Sequence, residues 1–142
     1  NESPLPPITT ELAGELSPVK GDPARLRQVI HNLLQNAQDA LANTNEAAIT
    51  VQTRSVNNGI ELCVTDNGKG FPEQVKAHVF EPYVTTKARG TGLGLPIVKK
   101  IVDEHGGTIK IQNIQPHGAQ ILITLPVLHH NHPPASPEVI HV

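Results

Sequence analysis

Asp66 to Leu95 reads DNGKGFPEQVKAHVFEPYVTTKARGTGLGL, and the rest of the chain is organised around it. An acidic residue opens a glycine turn, Asp66-Asn67-Gly68-Lys69-Gly70. A second glycine turn, Gly90-Thr91-Gly92-Leu93-Gly94-Leu95, runs straight into a helical pattern. Glycine admits positive φ and lets a ligand approach the backbone closely. A glycine turn at a helix N-terminus offers free N–H donors and positive dipole to phosphates. Between the turns, Phe80 to Arg89 has little apolar periodicity after Tyr83 and carries Lys87 and Arg89. That composition predicts a lid that orders over a bound ligand. Either glycine run alone is a weak signal, but their ordered combination is specific.

Immediately upstream, Ile60, Leu62 and Val64 alternate on one face, and Asp66 continues their register. The carboxylate is therefore expected to point into the apolar layer at a strand end, which is costly without a partner. The plainer alternative is an Asp that caps its own turn. Asn57-Asn58-Gly59 predicts a hairpin back to residues 48–55, where Ile49, Val51 and Thr53 share a face. Cys63 faces the other way and reads as inert.

Farther upstream, Asp22 before Pro23 is an N-cap followed by proline at the first helical position. A helix is predicted from Pro23 to about Ala42. Leu26, Val29, Ile30, Leu33, Leu34, Ala37, Ala40 and Leu41 make its apolar face. Asn32 and Asn36 are four apart and stack on one side, Asn36 at the edge of the apolar arc and Asn32 just beyond it. Either one alone reads as an ordinary solvent-side amide.

Ile8 to Leu12 predicts a short edge strand, and Val19-Lys20-Gly21 another. Pro72 to Val79 suggests a short helix and Leu95 to His105 a longer one, stopped by Gly106. Two alternating strands close the pattern, 107–113 and 119–125, joined by Pro116-His117-Gly118. The order predicts an α+β fold: a two-layer sandwich, with helices on one face of a mixed, mostly antiparallel sheet. Residues 1–7 read as a proline-rich linker cut from something longer, 8–126 as the domain, and 127–142 as a disordered His/Pro-rich tail. His129, His130 and His132 lack Cys or carboxylate support for a metal site.

The 142 residues suffice for one domain. With no Trp, one Tyr and two Phe, its core must be aliphatic. A net charge of −2 argues against nucleic acid. The single cysteine excludes an internal disulfide and fits a reducing compartment. No apolar run approaches the length of a membrane span.

Taken together, these motifs resemble the ATP-binding catalytic domain of bacterial sensor histidine kinases, a fold shared with gyrase, the Hsp90 chaperones and MutL. His31-Asn32-Leu33-Leu34-Gln35-Asn36-Ala37-Gln38-Asp39-Ala40 resembles the asparagine box, and Asp66 to Gly70 the first glycine box. Phe80-Glu81-Pro82-Tyr83 resembles the phenylalanine box, and Gly90 to Leu95 the second glycine box. The wording of 80–95 is most similar to nitrogen-regulation sensor kinases. The resemblance implies Mg2+ and ATP as ligands. It assigns catalysis to Asn32, Asn36 and Lys87, and the metal to Asn36. Nucleotide contacts fall to Asn36, Asp39, Asp66, Gly68, Gly70, Tyr83, Thr86, Lys87, Arg89, Gly90, Thr91, Gly92, Leu93, Gly94 and Leu95.

The chemistry agrees with that assignment. A carboxylate only accepts, so Asp66 suits the N6–H of adenine and would repel the carbonyl of guanine. The amide oxygen of Asn36 is the hard donor Mg2+ accepts. Three departures stand out. Pro96 removes one N–H from the phosphate end. Ala119 stands where ATPase relatives carry a Thr. The phosphoacceptor His segment is missing.

The resemblance thus implies a histidine kinase that transfers the γ-phosphoryl group to a histidine on a separate dimerisation domain of a homodimeric parent, and thence to a response regulator. It implies a cytoplasmic domain without membrane contact, whose parent could be anchored in the inner membrane. The alternatives are a gyrase- or MutL-like ATPase clamp, an anti-sigma serine kinase, and a nucleotide-binding module without catalysis. Relatives of the first two kinds carry Glu at the position of Asn32, because water or a serine hydroxyl needs a base.

Overall fold

The computed structural model describes residues 6–14, 16, 18–81, 94–127 and 139–140. Five strands form the main sheet: β1 (Ile8–Glu11), β3 (Ile49–Val56), β4 (Gly59–Asp66), β5 (Thr108–Asn113) and β6 (Ala119–Pro126). Their order is β1-β3-β4-β6-β5, with β1 parallel to β3 and every other pair antiparallel. The helices are α1 (Pro23–Ala40), the single-turn α2 (Glu73–Lys76) and α3 (Gly94–Glu104). This is the α+β sandwich expected from the alternation, with β1 on the edge.

The apolar face of α1 explains the layering. Leu26, Val29, Leu33 and Ala37 are buried, and so are Val98, Ile101 and Val102 of α3. They meet Ile60, Leu62 and Val64 of β4 and Ile121 and Ile123 of β6. Leu33 is fully buried, so Leu33→Ala would cost about 2–5 kcal/mol. On the opposite face of the sheet the described residues make polar pairs. Gln52 donates to Glu11 at 2.8 Å, Arg54 pairs with Glu61 at 2.6 Å, and Gln112 donates to Gln120. An antiparallel sheet tolerates one wetted face.

The local signals act as their chemistry dictates. Asp22 Oδ1 accepts from Ala24 N–H at 3.0 Å, capping α1 behind Pro23. Asn58 takes φ 57° in the β3–β4 hairpin. α1 ends at Ala40 with Leu41 as C-cap, slightly before the periodicity fades. α2 covers only four residues of the expected Pro72 to Val79, because a single turn has too few hydrogen bonds to propagate. α3 begins at Gly94, one residue before the expected Leu95, so Pro96 is its third residue. It still lies in the first turn, where the missing N–H would have had no partner within the helix.

Two further strands pair away from the main sheet. β2 (Val19–Lys20) pairs antiparallel with β7 (Val139–Ile140). No element was expected after Val127. A β-branched pair two residues long is too short to register as alternation, and its partner is supplied from the far end of the chain.

Candidate functional site

α1 and α3 pack side by side. The start of α1 meets the end of α3. Asp22 N–H donates to His105 Nε2 at 3.1 Å, and Arg25 pairs with Glu104. The helices are therefore antiparallel. At 1.5 Å per residue, the eleven residues of α3 run back about 16 Å. That carries its N-terminus, Gly94 and Leu95, to roughly the level of Asn32 on α1. Asn32 and Asn36 are both half-buried. Among the described residues, nothing stands within 4 Å of a Cβ built on Gly94.

The first glycine turn comes to the same end of α1. A Cβ on Gly68 would lie 2.8 Å from the carbonyl oxygen of Ala40, so only glycine permits this approach. Ala40 is one helical turn beyond Asn36. Asp66, at the end of β4, is 5% exposed and sits on the core-facing register with Val64 and Leu62. Its Oδ1 accepts from Gly68 N–H at 2.9 Å. Asp66 is thus buried and also caps its own turn; the two readings of the sequence are compatible. Gly70 has φ 82°, the left-handed region that glycine enters without strain.

Side chains outside the motifs hold this turn. Asn67 Oδ1 accepts from Ala48 N–H at 2.8 Å and its Nδ2 donates to Glu46 C=O at 2.9 Å, tying the turn to the α1–β3 loop. Asn113 Oδ1 accepts from Phe71 N–H at 2.8 Å and its Nδ2 donates to Phe71 C=O at 2.9 Å. His117 Nδ1 lies 2.8 Å from the carbonyl oxygen of Asn67 and 3.2 Å from that of Gly68. No periodicity in the sequence marks Asn67, Asn113 and His117 as site builders. Their partners are 19 to 50 residues away, so no local spacing marks them.

Of the residues singled out from the sequence, Asp66, Gly68 and Gly70 lie on the turn that meets the Ala40 end of α1, Asn36 and Asn32 lie one and two turns before that contact, and Gly94 and Leu95 begin α3. Asp39 lies on α1 and accepts from Gln35 Nε2 at 3.1 Å. Tyr83, Thr86, Lys87, Arg89, Gly90, Thr91, Gly92 and Leu93 lie outside the described residues, as do most of the lid and the histidines of the tail. Among the described residues, no group of three His, Cys, Asp or Glu could hold a metal ion.

The buried Asp66 carboxylate is an acceptor at a strand end, on a turn whose two glycines let it pack against Ala40 and Asn113. The N-terminus of α3 carries N–H groups of the kind that receive anionic oxygens. Acceptor and N–H donors of these kinds suit a nucleotide.

Comparison with known proteins agrees. The family described as histidine kinase-, DNA gyrase B-, and HSP90-like ATPase matches residues 21–129. The sensor histidine kinase ZraS of Salmonella typhi is 45% identical over 115 residues, covering 80% of this chain and 24% of its own length. A putative NtrY-like sensor histidine kinase of Rickettsia bellii is 44% identical over 100 residues, covering 70% of this chain and 16% of its own. Among solved structures, the mycobacterial sensor histidine kinase MprB superposes with TM-score 0.72 at 34% identity, over 84% of this chain and 83% of that one. The chain spans about a quarter of the length of ZraS. From its motifs, its sheet order and these matches, the chain belongs to the histidine kinase branch of the histidine kinase-, gyrase B- and HSP90-like ATPase family.

Proposed function

We propose that this domain binds Mg-ATP and transfers the γ-phosphoryl group to a histidine on a separate phosphoacceptor domain of a homodimeric two-component kinase. The observation that carries it is the buried Asp66 carboxylate on the Gly68–Gly70 turn, set against the Asn36 end of α1. In this reading Asp66 accepts the adenine N6–H, and Gly68 and Gly70 let the turn close over the ring. The N–H groups at the start of α3 meet the phosphates. Lys87 and Arg89 reach phosphate from the lid, and Asp39, Tyr83, Thr86 and Gly90 to Leu93 complete the nucleotide contacts.

Asn36 would hold Mg2+ through its amide oxygen, and the ion would neutralise charge on the phosphate oxygens. The P–O bond to the β-phosphate breaks as an N–P bond forms on the acceptor imidazole, and ADP leaves. A neutral imidazole nitrogen already carries a lone pair and needs less help from a base; the proton on its other ring nitrogen is released after transfer. Asn32 cannot act as a base, which favours a kinase over the clamp ATPase and the serine kinase.

No described helix is long and apolar enough to cross a membrane. We place the domain in the cytoplasm, where its ATP is, with a response regulator receiving the phosphoryl group from the acceptor histidine.

Incubation with γ-labelled Mg-ATP tests the reading. Label should be absent from this chain alone and appear, slowly because tethering is lost, on the acceptor domain of its own parent. Stable label on this chain alone, or none on the acceptor despite bound ATP, would overturn it.

A further inference from the structure

His117 belongs to no nucleotide-binding motif, yet it touches the turn that carries Asp66. Carbonyl oxygens only accept, so Nδ1 must carry a hydrogen, shared between Asn67 C=O at 2.8 Å and Gly68 C=O at 3.2 Å. The nearer carbonyl belongs to the peptide unit joining Asn67 to Gly68. The N–H of that same unit donates to Asp66 Oδ1 at 2.9 Å. A peptide unit is planar and moves as one body. His117 therefore grips one edge of a rigid plate and Asp66 grips the other. The two bonds are in series, so the imidazole donor also polarises the N–H that reaches the carboxylate.

The backbone beneath His117 is anchored. Ala119 pairs with Asp66 across β4 and β6, and Ile114 N–H donates to Gly118 C=O at 3.1 Å. A Cβ on Gly118, at φ 137°, would stand 2.3 Å from the carbonyl oxygen of Asp66. The imidazole is thus held close against the turn while remaining exposed to solvent. It contributes little to the core.

We propose that His117 is a positioning residue for base recognition: through the Asn67–Gly68 peptide it sets the angle at which the Asp66 carboxylate meets the purine. This rests on the reading of Asp66 as the base-binding group. Losing the grip would let the peptide plane tilt and the carboxylate swing. Affinity for the base that Asp66 prefers should fall, while phosphate contacts at the other end of the site are untouched.

The test is calorimetric titration of the full chain with Mg-ATP and with Mg-ITP, which presents a carbonyl where ATP presents an amine. The unmodified chain should prefer ATP. His117→Ala should narrow the ATP-to-ITP preference about three- to tenfold, the scale of one hydrogen bond, with ITP affinity and melting temperature nearly unchanged. His117→Asn, which can place an amide N–H near the position of Nδ1, should restore most of the preference. An unchanged ratio in His117→Ala, or equal weakening of both nucleotides, would overturn the proposal. If His117→Ala fails to fold, His117→Asn against His117→Leu makes the same comparison, and equal ratios would overturn it. Asp66→Asn separates the two levels. Preference lost there but kept in His117→Ala overturns only the role of His117. Preference kept in Asp66→Asn overturns the base-binding reading itself.

Discussion

The imidazole of His105 occupies the space that any side chain on Gly21 would need: a Cβ there would lie 2.5 Å from Cδ2 and 2.7 Å from Nε2. Both ring nitrogens are committed. Nδ1 donates to Ile101 C=O at 2.8 Å, and Nε2 accepts from Asp22 N–H at 3.1 Å. The ring joins the end of α3 to the cap of α1 and so helps fix the antiparallel pairing of the two helices.

Gly21→Ala should displace that ring and lose one or both bonds. The expected cost is about 1–3 kcal/mol, lowering the melting temperature by roughly 4–12 °C. Gly14→Ala is the control, since nothing described lies within 4 Å of a Cβ there. It should shift stability by less than ~0.5 kcal/mol. Equal melting curves for the two variants would show that the His105 contact carries no stability.

Asn113→Ala removes both bonds that clamp Phe71 to the end of β5. Because Asn113 is exposed, the loss should be about 1 kcal/mol. Asn113→Asp keeps the acceptor for Phe71 N–H but sets a carboxylate against Phe71 C=O, so it should not recover the parent stability. Denaturant midpoints at constant slope measure both. An Asp variant as stable as the parent would show that only the first bond matters.

Asp66→Asn preserves an acceptor for Gly68 N–H, so the domain should stay folded and melt within a few degrees of the parent. The amide presents a donor where N6–H also donates. Affinity for Mg-ATP should fall at least about tenfold, the scale of one hydrogen bond to a charged group. Titration of a variant shown to be folded, giving an unchanged Kd, would remove Asp66 from the binding site.

Asn32→Glu places a half-buried carboxylate one turn before Asn36 on α1. Phosphoryl transfer is mostly positioning and charge stabilisation, and a group that takes a proton from water opens hydrolysis. Phosphate release at saturating ATP should rise about tenfold, below the ~10²–10⁴ of a well-placed base, since nothing else here is tuned for water. Brisk hydrolysis by the unmodified chain would count against a kinase reading built on Asn32.

The sequence by itself determined what local periodicity and turn chemistry can carry. The apolar face of α1 with its Asp22 cap, the β3–β4 hairpin at Asn58, and the inward register of Asp66 are properties of residues close together in the chain. Periodicity predicts burial because every third or fourth residue of a helix, or every second of a strand, must share a face.

What only the tertiary structure decided has partners far apart. The peptide plate between His117 and Asp66, the Asn113 clamp on Phe71, the His105 link between α1 and α3, and the pairing of β2 with β7 each join segments separated by 42 or more residues. A hydrogen bond between such segments leaves no spacing in the sequence. Its geometry exists only after the core has set the sheet order and brought both ends within 3 Å or so.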